Sequence, residues 1–126
     1  MGIFTQLTTL FSGAPAEKAA QGGYRRISAK EARERLAADP GAMLLDVRTP
    51  GEHRARRIAG SVLIPHTLIR QQASGQLPQK DAPLIVYCQS GMRSRQAARQ
   101  LLDLGYTNVY DLGGIIGWPY ETVCGG

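Results

Sequence analysis

Residues 84–102 read LIVY-CQSGMR-SRQAARQLL. Leu84 to Tyr87 form a short apolar run, the pattern of a buried strand. Ser94 to Leu104 is the next regular segment. Ala97, Ala98, Leu101, Leu102 and Leu104 give it an apolar side at helical spacing, and Gly105 stands where a C-cap is expected. Between strand and helix lies a loop that opens with Cys88 and closes with Arg93. In an open α/β sheet, ligands bind outside the carboxyl ends of strands. The first turn of a helix adds N–H groups without intrahelical partners and the positive end of the helix dipole. Gly91 permits a tight turn that aims those amides at one point. The segment therefore predicts an anion nest with Cys88 at its base. Loop amides and Arg93 around the sulfur favour a thiolate, the nucleophilic form. The same cradle suits a persulfide anion. The plainer reading of Cys88 is a small core residue after a strand.

The flanking sequence extends this strand–loop–helix unit. Tyr24 to Ile27 is a strand candidate. Ser28 reads as an N-cap with Glu31 three residues on, a capping box. The helix behind it runs through Ala32 and Leu36 to Asp39-Pro40-Gly41. Ala42 to Val47 (AMLLDV) and Ser61 to Ile64 (SVLI) are further apolar runs. Asn108 to Tyr110 is the last strand, and Gly113, Gly114 and Trp118 read as a turn and core packing. Short apolar strands alternating with helices predict one α/β domain. Its centre is a mainly parallel five-stranded sheet with helices on both faces.

The domain spans residues 24–126 and ends in a short tail that reads as loose. Residues 1–23 differ. Ser12 to Gly23 is a Gly- and Ala-rich linker, and Ile3, Phe4, Leu7, Leu10 and Phe11 fall at helical spacing. That segment reads as a mobile tail or as a helix for docking or self-association. It lacks the basic start of a secretory signal, so the cytoplasm is the expected location, with export or membrane-surface attachment left open.

Composition sets the outer limits. The chain has 126 residues, 43% hydrophobic and 20% charged, with a net charge of +5. This length suits one domain with a core of its own. No apolar run is long enough to span a membrane. Two cysteines, Cys88 and Cys124, make no disulfide framework. The two histidines, His53 and His66, show no metal-type spacing, so no metal site is expected. Arginines cluster at Arg54, Arg56 and Arg57, and at Arg93, Arg95 and Arg99. Guanidinium forks suit oxyanions. Nucleic-acid binding is not expected, because the helix carrying Arg95 and Arg99 lacks aromatics and a recognisable motif.

Two cysteine chemistries use such a loop. Phosphatases space cysteine and arginine by five residues, whereas Cys88 and Arg93 are separated by four. The smaller cradle suits a terminal persulfide sulfur better than a phosphate monoester. At this point the chain resembles the rhodanese homology domain family in its single-domain sulfurtransferase form. CQSGMRS resembles that family's Cys-x-x-Gly-x-Arg-Ser loop. LLDVRTPGEHRARRIAGSVLIP resembles its Asp-Val-Arg, Glu, Ile-x-Gly-Ala and Ile-Pro signature, and LGYTNVYDLGGIIGW its ending. The resemblance covers roughly residues 24–120.

It implies a sulfurtransferase that moves sulfane sulfur from thiosulfate or a persulfide donor to a thiophilic acceptor. Cys88 is then nucleophile and persulfide carrier, and no cofactor beyond that covalent intermediate is implied. Gln89, Ser90, Gly91, Met92 and Arg93 form the cradle with Ser94 at the helix entry, and Arg93 meets the anionic donor. Asp46, Arg48 and Glu52 match the first signature and read as structural, pairing near strand ends to fix the loop. Expected partners are a small anionic donor and a thiophilic acceptor, with a protein sulfur acceptor as a further candidate. The chain departs from the family at Arg56-Arg57, where Gly-His is common, and at His53, where an aromatic is common. A non-catalytic rhodanese-like binding module and a cysteine phosphatase or arsenate reductase are the alternatives. Cys124 reads as an uninvolved tail thiol or as an acceptor of sulfur from Cys88.

Overall fold

The structure is a computed structural model and describes residues 23–125. The readings made on residues 1–22 lie outside the described residues. Five strands form one sheet: β1 (Tyr24–Arg26), β2 (Met43–Asp46), β3 (Val62–Leu63), β4 (Leu84–Cys88) and β5 (Val109–Gly114). Their order is β1-β5-β4-β2-β3, and every pairing is parallel. Four α-helices are described: α1 (Ala29–Ala38), α2 (Pro50–Ala55), α3 (Ile69–Gln76) and α4 (Met92–Asp103).

Buried residues fall into two clusters, one on each face of the sheet. Ile69, Ala73 and Leu77 from the α3 side and Ala97, Ala98 and Leu101 of α4 pack against Leu45, Val86 and Val109. Ala32 of α1, with Ile58, Ile115 and Trp118, packs against Leu44, Ile85, Tyr87 and Tyr110. Apolar residues alternate along β4 between the two clusters, and the whole strand is buried, as in a parallel sheet covered on both faces.

Local chemistry explains the element ends. Ser28 caps α1 by accepting the Glu31 N–H at 3.0 Å. The expected reciprocal bond is replaced, because Glu31 Oε2 takes Arg35 at 2.9 Å and Arg25 at 3.3 Å. The full capping box lies instead at Thr49–Glu52, before α2, where no helix was predicted. Helix α4 closes with Gly105 N–H on the Leu102 carbonyl and Tyr106 N–H on that of Leu101, the paired bonds of a Schellman motif.

The reading of Gly113-Gly114 as a turn is corrected. Both lie in β5, beyond a register shift that sets Gly113 beside Tyr87 and Gly114 beside Cys88. The loose tail is also corrected. Val123 pairs with Arg57 through two backbone bonds of 2.9 and 2.8 Å, and Arg57 Nη1 donates to the Gly125 carbonyl at 2.6 Å.

Candidate active site

β2 and β4 are neighbours, but the chain leaves their carboxyl ends in opposite directions, toward β3 and toward β5. Such a reversal opens a crevice at the sheet's carboxyl edge, where α/β folds place ligands. Cys88 ends β4 at this point and Asp46 ends β2. The two long sequence signatures therefore converge on one crevice.

Cys88 is only 1% exposed. Its Sγ lies at the base of the loop and accepts the Gly91 N–H at 3.0 Å. Gly91 has φ of 115° and precedes the first residue of α4, a conformation that a side chain would strain. This begins α4 at Met92, earlier than the sequence pattern placed it, and turns its first amides toward the loop. β5 supports the loop from below. A Cβ on Gly114 would overlap the Gln89 carbonyl oxygen and stand 2.7 Å from Ser90 Cα. The Ile116 N–H donates to the same Gln89 carbonyl at 3.3 Å.

Ser94 ties the loop to β5. Its Oγ lies 2.8 Å from Asp111 Oδ1 and 3.1 Å from the Gly91 carbonyl. The single hydroxyl proton serves one of these acceptors at a time. Asp111 is fully buried and also accepts the Tyr24 hydroxyl at 2.9 Å and the Gly113 N–H at 2.9 Å. Burial, with Asp111 adding to it, raises the Tyr24 hydroxyl above its ordinary pKa. Sequence reasoning missed Asp111. The available signal was a carboxylate between Tyr110 and Leu112 in an apolar stretch, a setting that requires hydrogen-bond partners.

A second buried carboxylate organises the β2 side. Asp46 receives the Arg48 Nε and Nη2 at 3.0 and 2.8 Å, the Arg48 N–H at 2.9 Å, and the Tyr87 hydroxyl at 3.1 Å; His53 Nδ1 lies at 2.9 Å. Burial alone would push the Asp46 carboxyl up, but bonds from Arg48 and His53 outweigh it and hold the group below the usual carboxylate range. The Tyr87 hydroxyl also accepts the Ile58 N–H at 3.1 Å, and burial raises its pKa. Arg48 then bridges the crevice, with Nη1 donating to Gln89 Oε1 at 3.2 Å and Nη2 to the Arg56 carbonyl at 2.5 Å. His53, where the chain departs from the family pattern, thus joins this network through its ring, whereas Arg56 joins it through its backbone carbonyl alone. Tyr87 was read only as an apolar strand residue.

Arg93 is placed differently from a free anion clamp. Its Nη1 and Nη2 donate to the two oxygens of Glu52 at 2.7 and 2.9 Å. Arg93 holds the Glu52 carboxyl down at about 2, and Glu52 raises the Arg93 pKa in return. Cys88 lies near enough to add to that rise. A donor at the mouth therefore meets a guanidinium already paired with a carboxylate. Of the remaining cradle residues, Gln89 and Ser90 are exposed on the loop, and Met92 projects into solvent. Cys124 is exposed on the paired tail.

Residues 28–120 match the Rhodanese-like domain family. The chain belongs to that family. A relative named a sulfurtransferase in Allochromatium vinosum is 39% identical over 93 residues, covering 73% of this chain and 85% of that protein. The thiosulfate sulfurtransferase GlpE of Pseudomonas paraeruginosa is 34% identical over 92 residues, covering 72% and 79%. Among solved structures, a rhodanese with anions from E. coli superposes with a TM-score of 0.63 at 30% identity, covering 67% of this chain and 99% of that one. The rhodanese fold thus agrees with the five-stranded α/β architecture expected from the sequence.

Proposed function

We propose that this rhodanese-like chain is a sulfurtransferase that carries sulfane sulfur on Cys88. The observation that carries the reading is the position of Cys88 Sγ. It lies at the base of a six-residue loop, accepting the Gly91 N–H at 3.0 Å, at the crevice between β2 and β4. Relatives named sulfurtransferase and thiosulfate sulfurtransferase support the class of reaction.

The mechanism is a two-step exchange. The Cys88 thiolate attacks the outer sulfur of thiosulfate. A Cys88–S bond forms, the donor S–S bond breaks, and its electron pair leaves on sulfite. The acceptor, cyanide in an assay, then attacks the outer sulfur of the Cys88 persulfide. Thiocyanate departs and the thiolate is restored. The protein holds the transferred atom covalently, and ping-pong kinetics follow. Loop amides and the first turn of α4 stabilise the negative sulfur in both forms. Arg93 steadies the loop through its two bonds to Glu52.

Phosphatase chemistry is less well served. Clamping a phosphate needs two guanidinium nitrogens free for its oxygens, and Arg93 gives both to Glu52. The donor is thiosulfate or a low-molecular-weight persulfide. The test is intact-mass spectrometry after thiosulfate treatment, together with thiocyanate release. Wild type gains one sulfur atom, about 32 Da, on Cys88 and forms thiocyanate; Cys88→Ser does neither. Thiocyanate turnover by Cys88→Ser would end the proposal. Among the described residues, no helix is long and apolar enough to cross a membrane.

A further inference from the structure

The mouth of the Cys88 loop is bordered by two large apolar side chains in water. Met92 is 74% exposed and Ile116 is 66% exposed. Val123 is the only other exposed large hydrophobic among the described residues. Met92 lies within the loop as the first residue of α4, and Ile116 bonds through its backbone to Gln89, so both stand at the loop. A scattered exposed apolar residue needs no explanation. Two on the rim of one nucleophile's loop are a contact surface in miniature.

Helix α4 continues that rim as positive charge. Met92, Arg95 and Arg99 stand at i, i+3 and i+7, which places them on one helix face, and all three are exposed. Neither Arg95 nor Arg99 forms an ion pair with another described residue. Arg70 of α3, 3.3 Å from Asp103, borders the same surface, and these residues line an open depression of 350 Å³. The stripe from Met92 to Arg99 is about 10 Å long at 1.5 Å per residue. Cyanide or thiosulfate cannot touch both ends of it.

We propose that this edge docks a protein whose reactive thiol lies on an acidic surface with an apolar collar, and that this thiol takes the sulfur from Cys88. The proposal rests on the sulfurtransferase reading above and names the acceptor class. The collar covers Met92 and Ile116, while acidic side chains meet Arg95 and Arg99, giving steering and register. Cys88 itself is buried, but the outer sulfur of its persulfide stands about 2 Å nearer the mouth, within reach of a thiol on a projecting segment. The acceptor thiol first loses its proton to solvent. Its thiolate attacks the outer sulfur, a new S–S bond forms on the acceptor, and the Cys88–S bond breaks with its electron pair returning to Cys88. The acceptor leaves as a persulfide, and no oxidant is consumed.

The test uses the full chain loaded with thiosulfate and four acceptors. One is a peptide with a central cysteine, leucines beside it and glutamates outside. The second carries lysines in place of the glutamates. Glutathione and cyanide complete the set. At low salt the acidic peptide is expected to discharge Cys88 with kcat/KM about tenfold above the lysine peptide, and added salt should narrow the gap. The double variant Arg95→Glu/Arg99→Glu should reverse the preference, and Ile116→Ser should weaken use of both peptides. Cyanide should discharge these variants at the wild-type rate. Equal use of the two peptides overturns the proposal, as does glutathione matching the acidic peptide. Sedimentation with phosphatidylserine vesicles that depends on Arg95 and Arg99, with no peptide preference, would make the edge a membrane contact and also overturn it. Failure of wild type to load sulfur, or to yield thiocyanate, instead brings down the sulfurtransferase reading beneath it.

Discussion

Replacing Gly114 by alanine tests whether β5 sets the shape of the Cys88 loop. Gly114 has φ of −103° and ψ of 141°, extended backbone that any residue adopts. The substitution therefore adds no dihedral strain, and its whole effect is steric. The new Cβ would stand 2.7 Å from Ser90 Cα, where ordinary contact begins at 3.4 Å, so the backbone must yield by about 0.7 Å. The overlap with the Gln89 carbonyl oxygen is closer still. Both opposing groups are backbone, so no flexible side chain can absorb the shift. The Gly91 N–H bond to Cys88 Sγ, at 3.0 Å, lies next along the same loop. A misplacement of about 1 Å at a reacting centre lowers rate by about a hundredfold, and overpacking costs about 1–3 kcal/mol. Gly114→Ala should thus lose about two orders of magnitude in kcat/KM for thiocyanate formation, with a thermal midpoint lower by about 5 °C or more. Gly117→Ala is the control, since a Cβ there meets nothing within 4 Å. If Gly114→Ala kept wild-type kcat/KM and midpoint, the claim that β5 shapes this loop would be refuted.

Three further outcomes follow from the contacts around the loop. Arg48→Met strands the buried Asp46 carboxylate without its main partner and should cost about 3–5 kcal/mol in urea unfolding. Glu52→Gln should lower stability by about 1 kcal/mol at pH 7, a figure reduced for the partial exposure of the pair. The Glu52 carboxyl is depressed from 4.5 to about 2, so its contribution is complete above pH 4.5 and disappears as pH falls from 4.5 to 2. Urea titrations of wild type and variant should therefore converge near pH 2; a constant gap would contradict the pairing. Ser94→Ala removes the link between Asp111 and the Gly91 carbonyl, and should destabilise by about 1–3 kcal/mol with a lower rate of persulfide formation, read by unfolding and by stopped-flow mass analysis.

The strand–loop–helix unit was legible because each part has a local cause. Leu84–Cys88 is apolar and short, Gly91 supports a turn only glycine makes easily, and Ala97, Ala98 and Leu101 repeat at helical spacing. Helix α2 was missed, because it buries no residue and leaves no apolar period to read; its signal was Thr49-Pro50 with Glu52, a capping box. Helix α3 was missed because Gln71, Gln72, Ser74 and Gly75 dilute its pattern, and only Ile69 and Ala73 are buried. The partners of Asp46 and Asp111 were illegible for another reason. Their hydrogen bonds reach Tyr87 and Ser94, respectively 41 and 17 residues away, and no local rule predicts such separations. Glu52 and Arg93 were both picked out in the sequence, yet their pairing spans 41 residues and emerges only from the fold.

That pairing bears on how the loop handles charge. On the proposed mechanism, Cys88 would carry one negative charge as thiolate and one as persulfide, so the charge at the sulfur would be unchanged between the two forms. Fixed dipoles suit this situation, because they stabilise a single negative charge without reorganising as sulfur arrives and departs. With thiosulfate as the proposed donor, a free guanidinium at the mouth would add attraction for that dianion, but equally for sulfite, the dianion that would have to leave. Glu52 offsets the Arg93 charge while fixing its position, through two bonds of 2.7 and 2.9 Å. Arg48 on Gln89, Ser94 on Asp111 and the Gly114 contact hold the loop from its other sides. Each of these restraints acts on loop atoms other than the sulfur. The Cys88 Sγ itself accepts the Gly91 amide, so these restraints shape the loop without tying down the sulfur.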